Sequence, residues 1–566
     1  MKKRARALAA ALIAALALAP AQAIAAGPPP LRVKNGVVVS QNAIASQVGA
    51  EVLFQGGTAI DAAVATAFAL AVVHPTAGNI GGGGFLLYRG ADGKAEFFDF
   101  RETAPAQASA AMFLRDGKYD PVLHHDSHVA VGVPGTVAGL HRAWREHGRL
   151  PWRRLLEPAI ALAREGFPVS DGLARSLREF APKFARYPAS QAQFSRAGKP
   201  YEMGDLLQQP DLAKTLGRIA EDGPDGFYRG QTARLIEKEM QRGGGLITRA
   251  DLEAYRPAKR EPLRGTYRGY EVLSAPPPSS GGMALLQMLN VVEGWDLDAT
   301  GFGSAATVHR LAETMRRAFA DRARYIGDPD FNRDMPVARL ISKEYAAELR
   351  RSVRDERASS SSPDSFTWPV ESSETTHVSV MDRERAAVSL TYTLEDNYGS
   401  KIVVPGAGFL LNNEMGDFNA APGLTTAEGL IGTEPNLAAP GKRMLSSMTP
   451  TILAKDGKPF MVIGSPGGRT IINTVFLTIL DVIDFGMNIQ QAIDAPRFHH
   501  QWLPDRIRYE KYGLSPDTLA LLRAKGHTLD EIDVQGVAEG IVYDAKEDLI
   551  EAAADKRRPD GAAIGR

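Results

Sequence analysis

Thr375-Thr376-His377-Val378-Ser379-Val380-Met381-Asp382, then Arg383-Glu384-Arg385, then Ala386-Ala387-Val388-Ser389-Leu390-Thr391-Tyr392-Thr393-Leu394, is the stretch on which the fold turns. Thr376, Val378 and Val380 alternate with His377, Ser379 and Met381, and the alternation resumes after the polar cluster as Val388, Leu390, Tyr392 and Leu394. Two runs of period 2 around a short charged turn predict an antiparallel hairpin. Immediately upstream, Ala358 to Pro363 reads Ala-Ser-Ser-Ser-Ser-Pro, a composition suited to an exposed flexible segment. The hairpin therefore starts abruptly, with Thr375 at its head.

Working outward, Val33 to Val39 reads as a strand and Ala43 to Leu53 as a helix ended by Gly56-Gly57. Thr58, with Asp61 three residues on, forms a near capping box for Ala59 to Val73, which is so uniformly apolar that it must be buried on all sides. The glycine run Gly81 to Gly84, read as a tight turn, leads into a second buried hairpin, Phe85 to Tyr88 and Ala95 to Phe100, directly followed by Arg101. From about Val137 to Leu349 the apolar spacing is mainly helical, interrupted by turn clusters such as Pro276-Pro277-Pro278-Ser279-Ser280-Gly281-Gly282. Strand patterns recur at Phe409 to Leu411, Ile452 to Ala454 and Pro459 to Ile463, before a helix from Thr470 to Asp484. Strands flanked on both sides by helical stretches predict a layered α+β architecture with stacked sheets.

Composition narrows the function. The 566 residues are 44% hydrophobic and 23% charged, with Lys plus Arg equal to Asp plus Glu at 66 each. That balance gives no electrostatic reason to expect nucleic acid or an anionic membrane as partner. Beyond the first residues no stretch has the apolar length of a membrane span. Lys2, Lys3, Arg4 and Arg6, the Ala/Leu run Ala7 to Ala19 and small residues through Ala26 follow the plan of a secretory signal, which predicts export to the periplasm or the medium. Cysteine is absent, which removes disulfides, thiolate metal sites and a Cys nucleophile from consideration.

Several motifs fail on their own terms. Gly464-Ser465-Pro466-Gly467-Gly468 lacks the glycine two residues before the serine that a nucleophile elbow needs, and the lysine of a phosphate loop. The pairs His124-His125 and His499-His500 are adjacent residues that point apart on a strand or helix, so no catalytic metal and no cofactor is expected. Thr375 by itself reads as an ordinary strand residue. A hydroxyl becomes a nucleophile when a base takes its proton, and one recurrent solution is a Thr whose own α-amine is that base. Such an amine titrates at roughly 7.7 to 8.0, suited to general-base work. Thr375 gains it only if the chain is cut after Glu374.

At these residues the chain resembles γ-glutamyltransferases. Thr375-Thr376-His377, Thr391-Tyr392-Thr393, Leu411-Asn412-Asn413, Ser446-Ser447-Met448-Thr449-Pro450 and Gly464-Ser465-Pro466-Gly467-Gly468 stand in the family's order and spacing. So do Gly57 to Ala62, Asn79 to Gly83 and Phe100 to Pro105 in the first half, and Arg557 to Gly561 at the end. The resemblance implies a four-layer αββα N-terminal-nucleophile hydrolase fold. It also implies a precursor cut between Glu374 and Thr375 into a large subunit, 27–374, and a small one, 375–566, after removal of a signal peptide, 1–26. Thr375 would be the nucleophile of self-cleavage and of catalysis, Thr393 would hydrogen-bond it, and Gly467 and Gly468 would supply oxyanion N–H groups. Arg101, Ser446 and Ser447 would hold a substrate α-carboxylate, and Asp417, with Glu395 and Glu414, its α-ammonium. The implied substrates are glutathione and other γ-glutamyl amides, with water, an amino acid or a peptide as acceptor.

Two departures stand out. Many relatives carry an amide where this chain has Glu395 and Glu414, and the lid expected at Pro422 to Gly441 holds no aromatic residue, with Glu428 where some relatives place one. Two alternatives stay open: a related cephalosporin (glutaryl) acylase, and an uncleaved exported binding paralogue.

Overall fold

The computed structural model describes residues 28–362, 375–424, 426 and 432–566. The signal-like residues 1–26, Glu374 and Glu428 lie outside them.

Two seven-stranded sheets form the centre. In chain order their strands are β1 (Leu31–Val33), β2 (Gly36–Ser40), β3 (Gly83–Arg89), β4 (Ala95–Asp99), β5 (Ala258–Arg260), β6 (Leu263–Tyr267), β7 (Tyr270–Ser274), β8 (Thr376–Asp382), β9 (Ala387–Thr393), β10 (Thr451–Lys455), β11 (Lys458–Gly464), β12 (Glu539–Asp544), β13 (Leu549–Ala554) and β14 (Ala562–Gly565). The first sheet runs β5-β4-β3-β9-β8-β2-β14 and the second β1-β13-β12-β11-β10-β7-β6, with antiparallel pairing throughout. The helices that frame the site are α1 (Ala43–Phe54), α2 (Ala59–Val73), α3 (Thr136–His147), α4 (Gly281–Val292), α5 (Ala305–Tyr325) and α6 (Thr470–Ile483).

Strand periodicity sorts the core into three apolar layers. Val38, Leu86, Val378, Val380, Val388 and Leu390 face α2 and its neighbours. Val37, Val39, Phe85, Leu87 and Met381 face Leu273, Ile452, Val462 and Ile541 across the gap between the sheets. Leu453, Met461 and Ile463 face α4, α5 and α6. Helix, sheet, sheet, helix is the four-layer order that the resemblance implies. Every residue of α2 is buried, and its capping box forms as Thr58 Oγ1 accepts from the Asp61 N–H while Asp61 accepts from the Thr58 N–H at 2.9 Å.

The β8–β9 hairpin sits at the middle of its sheet, so its polar residues meet the second sheet rather than water. His377 Nδ1 lies 2.8 Å from Thr391 Oγ1 and Nε2 lies 3.0 Å from Ser379 Oγ. The Ser379 and Ser389 hydroxyls donate to the Glu539 and Ile463 carbonyls of the second sheet. These bonds satisfy groups whose burial would otherwise cost about 1–3 kcal/mol each.

Some local expectations change. Gly83 and Gly84 belong to β3 rather than to a turn, and a Cβ on Gly82, Gly83 or Gly84 would strike the carbonyls of Thr393, Phe100 or Thr391 at 2.0 to 2.5 Å. These glycines allow close backbone approach. Phe409 to Leu411 forms only an isolated bridge, Val403 to Leu410. Within the helical middle, β5 to β7 join the sheets. The serine-rich segment is anchored as far as it is described: Ala358 N–H donates to Lys525 O, Ser359 Oγ to Glu313, and Ser361 N–H to Asp505.

Candidate active site

Thr375 is buried immediately before β8, and extending the β8–β9 register by one residue sets it opposite Thr393. Thr393 is fixed from two sides. Its carbonyl accepts from Asn79 Nδ2 at 2.8 Å, and its Oγ1 accepts from the Glu395 N–H at 2.9 Å. Asn79 Oδ1 in turn accepts from the Gly82 N–H and the Thr136 hydroxyl, so the glycine run and the start of α3 brace the end of β9.

The turn from β11 into α6 carries Gly467 and Gly468 at φ +131° and +55°, left-handed conformations that suit glycine. Gly467 O accepts from the Thr470 N–H and Gly468 O from the Ile471 N–H, which winds the turn into the first residues of α6. The positive end of that helix therefore lies beside Thr375, where negative charge is favoured. Behind it His377 packs so tightly that a Cβ on Gly464 would stand 2.1 Å from its ring. Burial pushes His377 down to about 3, so it is a neutral bridge at neutral pH.

A small cavity is lined by Thr375, Thr393, Gly468, Arg101, Glu395, Glu414, Asp417, Ser446 and Ser447, with Met448 and Ile471. The fold thus gathers residues that lie as far as 370 positions apart in the chain, Arg101 and Ile471, at one point. Gly467 lines a neighbouring cavity on the other side of the turn.

Arg101 is fully buried. Its Nη1 pairs with Glu414 and its Nη2 with Asp417, while Nη2 also donates to Leu445 O at 3.1 Å and Nε to Met444 O at 3.4 Å. Glu102, a residue to which the sequence reading gave no role, stands 3.7 Å from Nη1. Burial alone would lower the Arg101 pKa, but Glu414, Asp417 and Glu102 outweigh it and hold the guanidinium charged. Burial also raises Glu102, Glu395 and Glu414 above the ordinary carboxylate range. Arg101 is thus surrounded by the carboxyl groups of Glu414, Asp417 and Glu102, with Glu395 lining the same cavity.

Glu395 occupies φ +80° and lies 3.3 Å from His125 Nδ1, so a member of the dismissed His124-His125 pair belongs to the edge of the site. Asn436, within the expected lid, donates to Asp417 O at 2.7 Å and accepts from the Leu445 N–H at 2.8 Å, which ties the described part of that segment to the carboxylate cluster. Arg322 on α5, also missed, donates to Ser447 Oγ at 2.9 Å. Glu102, His125 and Arg322 left no signal because each reaches the site through packing rather than spacing. Among the described residues, Glu96, Glu146 and His147 form the one group with metal-ligand spacing, and Lys259 already joins its two glutamates at 2.7 and 2.6 Å.

The family model for gamma-glutamyltranspeptidase matches residues 45–565. The glutathione hydrolase proenzyme of Escherichia coli (strain K12) is 47% identical over 541 residues, 95% of this chain and 93% of its own length. The fold is similar to that of a cephalosporin acylase from Bacillus halodurans, with TM-score 0.83 and 28% identity over 97% of this chain and 98% of that one. It is similar also to Helicobacter pylori gamma-glutamyltranspeptidase, with TM-score 0.57 and 46% identity, over 58% of this chain and 94% of that one. With its four-layer fold and the gathered threonine, glycine and arginine residues, this chain belongs to the γ-glutamyltranspeptidase family.

Proposed function

We propose that the protein is an exported glutathione hydrolase and γ-glutamyltransferase, made as a precursor that cuts itself between Glu374 and Thr375. Residues 1–26 would be removed as a signal peptide, and among the described residues no helix is long and apolar enough to cross a membrane. Cleavage would leave subunits 27–374 and 375–566 interlocked, since each sheet contains strands from both sides of the cut.

In the mature enzyme the freed Thr375 amine takes the proton of its own hydroxyl, and Oγ1 attacks the γ-carbonyl carbon of the substrate. Thr393 orients the nucleophile. Charge that develops on the carbonyl oxygen meets the Gly467 and Gly468 N–H groups at the head of α6, a contribution of roughly 3 to 4 kcal/mol when such a donor is well aimed. Collapse breaks the C–N bond, and the departing amine receives the proton held by the Thr375 ammonium. Water or an acceptor amine then resolves the γ-glutamyl-Thr375 ester by the reverse sequence.

The observation that carries this reading is the single cavity shared by Thr375, Gly468, Arg101, Ser446, Ser447 and the carboxylates. A γ-glutamyl group brings one α-carboxylate for Arg101 and the two serines, and one α-ammonium for Asp417, Glu395 and Glu414. The ammonium would add a positive charge beside these carboxyl groups and favour their ionised form. The similarity to a cephalosporin acylase keeps the glutaryl-acylase reading as the second one. A glutaryl group brings no ammonium, so it would gain nothing from Asp417, Glu395 and Glu414. Rates on γ-glutamyl and glutaryl anilides decide between the two: a large preference for γ-glutamyl supports this reading, and equal or better use of glutaryl overturns it.

A further inference from the structure

The turn cluster Pro276 to Gly282 ends at the site. Ser280 N–H and Ser280 Oγ both donate to Ser446 O, at 2.8 and 2.7 Å, and Ser279 Oγ donates to Met448 O at 2.6 Å. The Ser446 N–H returns a bond to Pro278 O at 3.1 Å. Gly281 lies so close to this strap that a Cβ there would stand 2.4 Å from Thr449 Oγ1. The loop is thus zipped onto the backbone of the serine pair.

Arg322 closes the arrangement from α5. Its side chain is buried, its Nε donates to Ser280 Oγ at 2.7 Å, and its Nη2 donates to Ser447 Oγ at 2.9 Å. One guanidinium therefore grips both serines, Ser447 directly and Ser446 through Ser280. A hydroxyl that accepts from a guanidinium turns its own proton elsewhere. Ser447 lines the Thr375 cavity, where a carboxylate can receive that proton. Arg101, meanwhile, is already engaged by Glu414 and Asp417.

We infer that Arg322 is a positioning residue for recognition of the substrate α-carboxylate: it aims the Ser447 hydroxyl as a donor and sets a second buried positive charge behind the serine pair. The fork matters, because a lysine ammonium cannot hold Ser280 and Ser447 in one plane. This rests on the assignment of Ser447 to the α-carboxylate, and the experiment separates the two.

The γ-glutamyl anilide and its α-carboxamide analogue are compared on the wild type and on R322Q, R322K, S280A and S447A, with self-cleavage on a gel and thermal melting as controls of folding. R322Q is expected to raise KM for the carboxylate substrate by about tenfold or more, the scale of a lost hydrogen bond to a charged group. Its effect on the carboxamide should be several-fold smaller. R322K and S280A should show the same selectivity in weaker form, and they decide the matter if R322Q fails to mature. In the R322Q/S447A double variant the losses should not add. Equal losses on both substrates would reduce Arg322 to a structural support and overturn the inference, as would additive losses, or a selective S447A beside unselective Arg322 variants. An unselective S447A would remove the carboxylate assignment itself, and the inference with it.

Discussion

Replacing Arg101 separates its two tasks, holding the buried carboxylates together and binding substrate. In R101M the side chain keeps its length but loses its charge, leaving Glu102, Glu414 and Asp417 without the guanidinium that pairs with them. Breaking a buried pair from one side costs about 3–5 kcal/mol. Total stability is about 5–15 kcal/mol, so R101M should melt far below the wild type or fail to mature. R101K keeps the charge and should fold and self-cleave. It loses the fork that spans Glu414, Asp417, Met444 O and Leu445 O, and with it two-point binding of a carboxylate. A charged hydrogen bond is worth about 1.5–3 kcal/mol, which predicts roughly a ten- to hundred-and-fifty-fold loss in kcat/KM. Maturation is read on a denaturing gel, stability by thermal melting and kcat/KM with a γ-glutamyl anilide. If R101M matures with a wild-type melting temperature, or R101K keeps wild-type kcat/KM, the role given to this cluster is wrong.

Asp417→Ala should weaken γ-glutamyl binding by about 2–5 kcal/mol, whereas Glu395→Asn and Glu414→Gln should change KM modestly and shift the ratio of transfer to hydrolysis; product analysis on all three variants checks this, and an Asp417→Ala no worse than the amide swaps would place the ammonium elsewhere. Because Glu395 sits at φ +80°, where Asn is better tolerated, Glu395→Asn should not lower the melting temperature. Glu539, whose carboxyl oxygens have no hydrogen-bond partner among the described residues, is raised well above its ordinary 4.5 by burial. Its folded-state pKa lies above its unfolded one, so its contribution to stability is full below about pH 4.5 and is lost as pH rises through the folded pKa. Glu539→Gln should accordingly gain melting temperature relative to wild type as pH increases from 4 to 8, and an unchanging difference would contradict the assignment.

Much of this architecture is written locally in the chain. The unbroken apolar run of α2 and the alternation in β8 and β9 are strong periodic signals, and both elements appear where those signals put them. The hairpin β6–β7 was hidden because its turn, Arg268-Gly269, lacks the Asn-Gly or Asp-Gly chemistry that marks a tight reversal, and helices surround it. Phe409 to Leu411 has strand composition but little pairing, since β propensity needs a partner edge to express itself. At the site, Thr375, Thr393, Arg101 and the serine and glycine pairs could be named from motif resemblance. The cavity that all of these but Gly467 share was not legible from spacing alone. The partners Glu102, His125 and Arg322 were illegible because ordinary side chains acquire those roles through tertiary packing. Arg101 illustrates the difference: composition favours an exposed arginine, and only the three surrounding carboxylates make its burial tolerable.

The central claim is that Thr375 becomes a chain terminus and then the nucleophile. Purified wild-type protein and Thr375→Ala are run side by side on a denaturing gel, with N-terminal sequencing of every band and γ-glutamyl anilide activity measured on both. The account predicts that the wild type splits into two fragments, the smaller beginning Thr375-Thr376-His377, and that Thr375→Ala stays whole, folded and inactive. A wild type that remains one active chain, or a Thr375→Ala variant that still separates after Glu374, would contradict it.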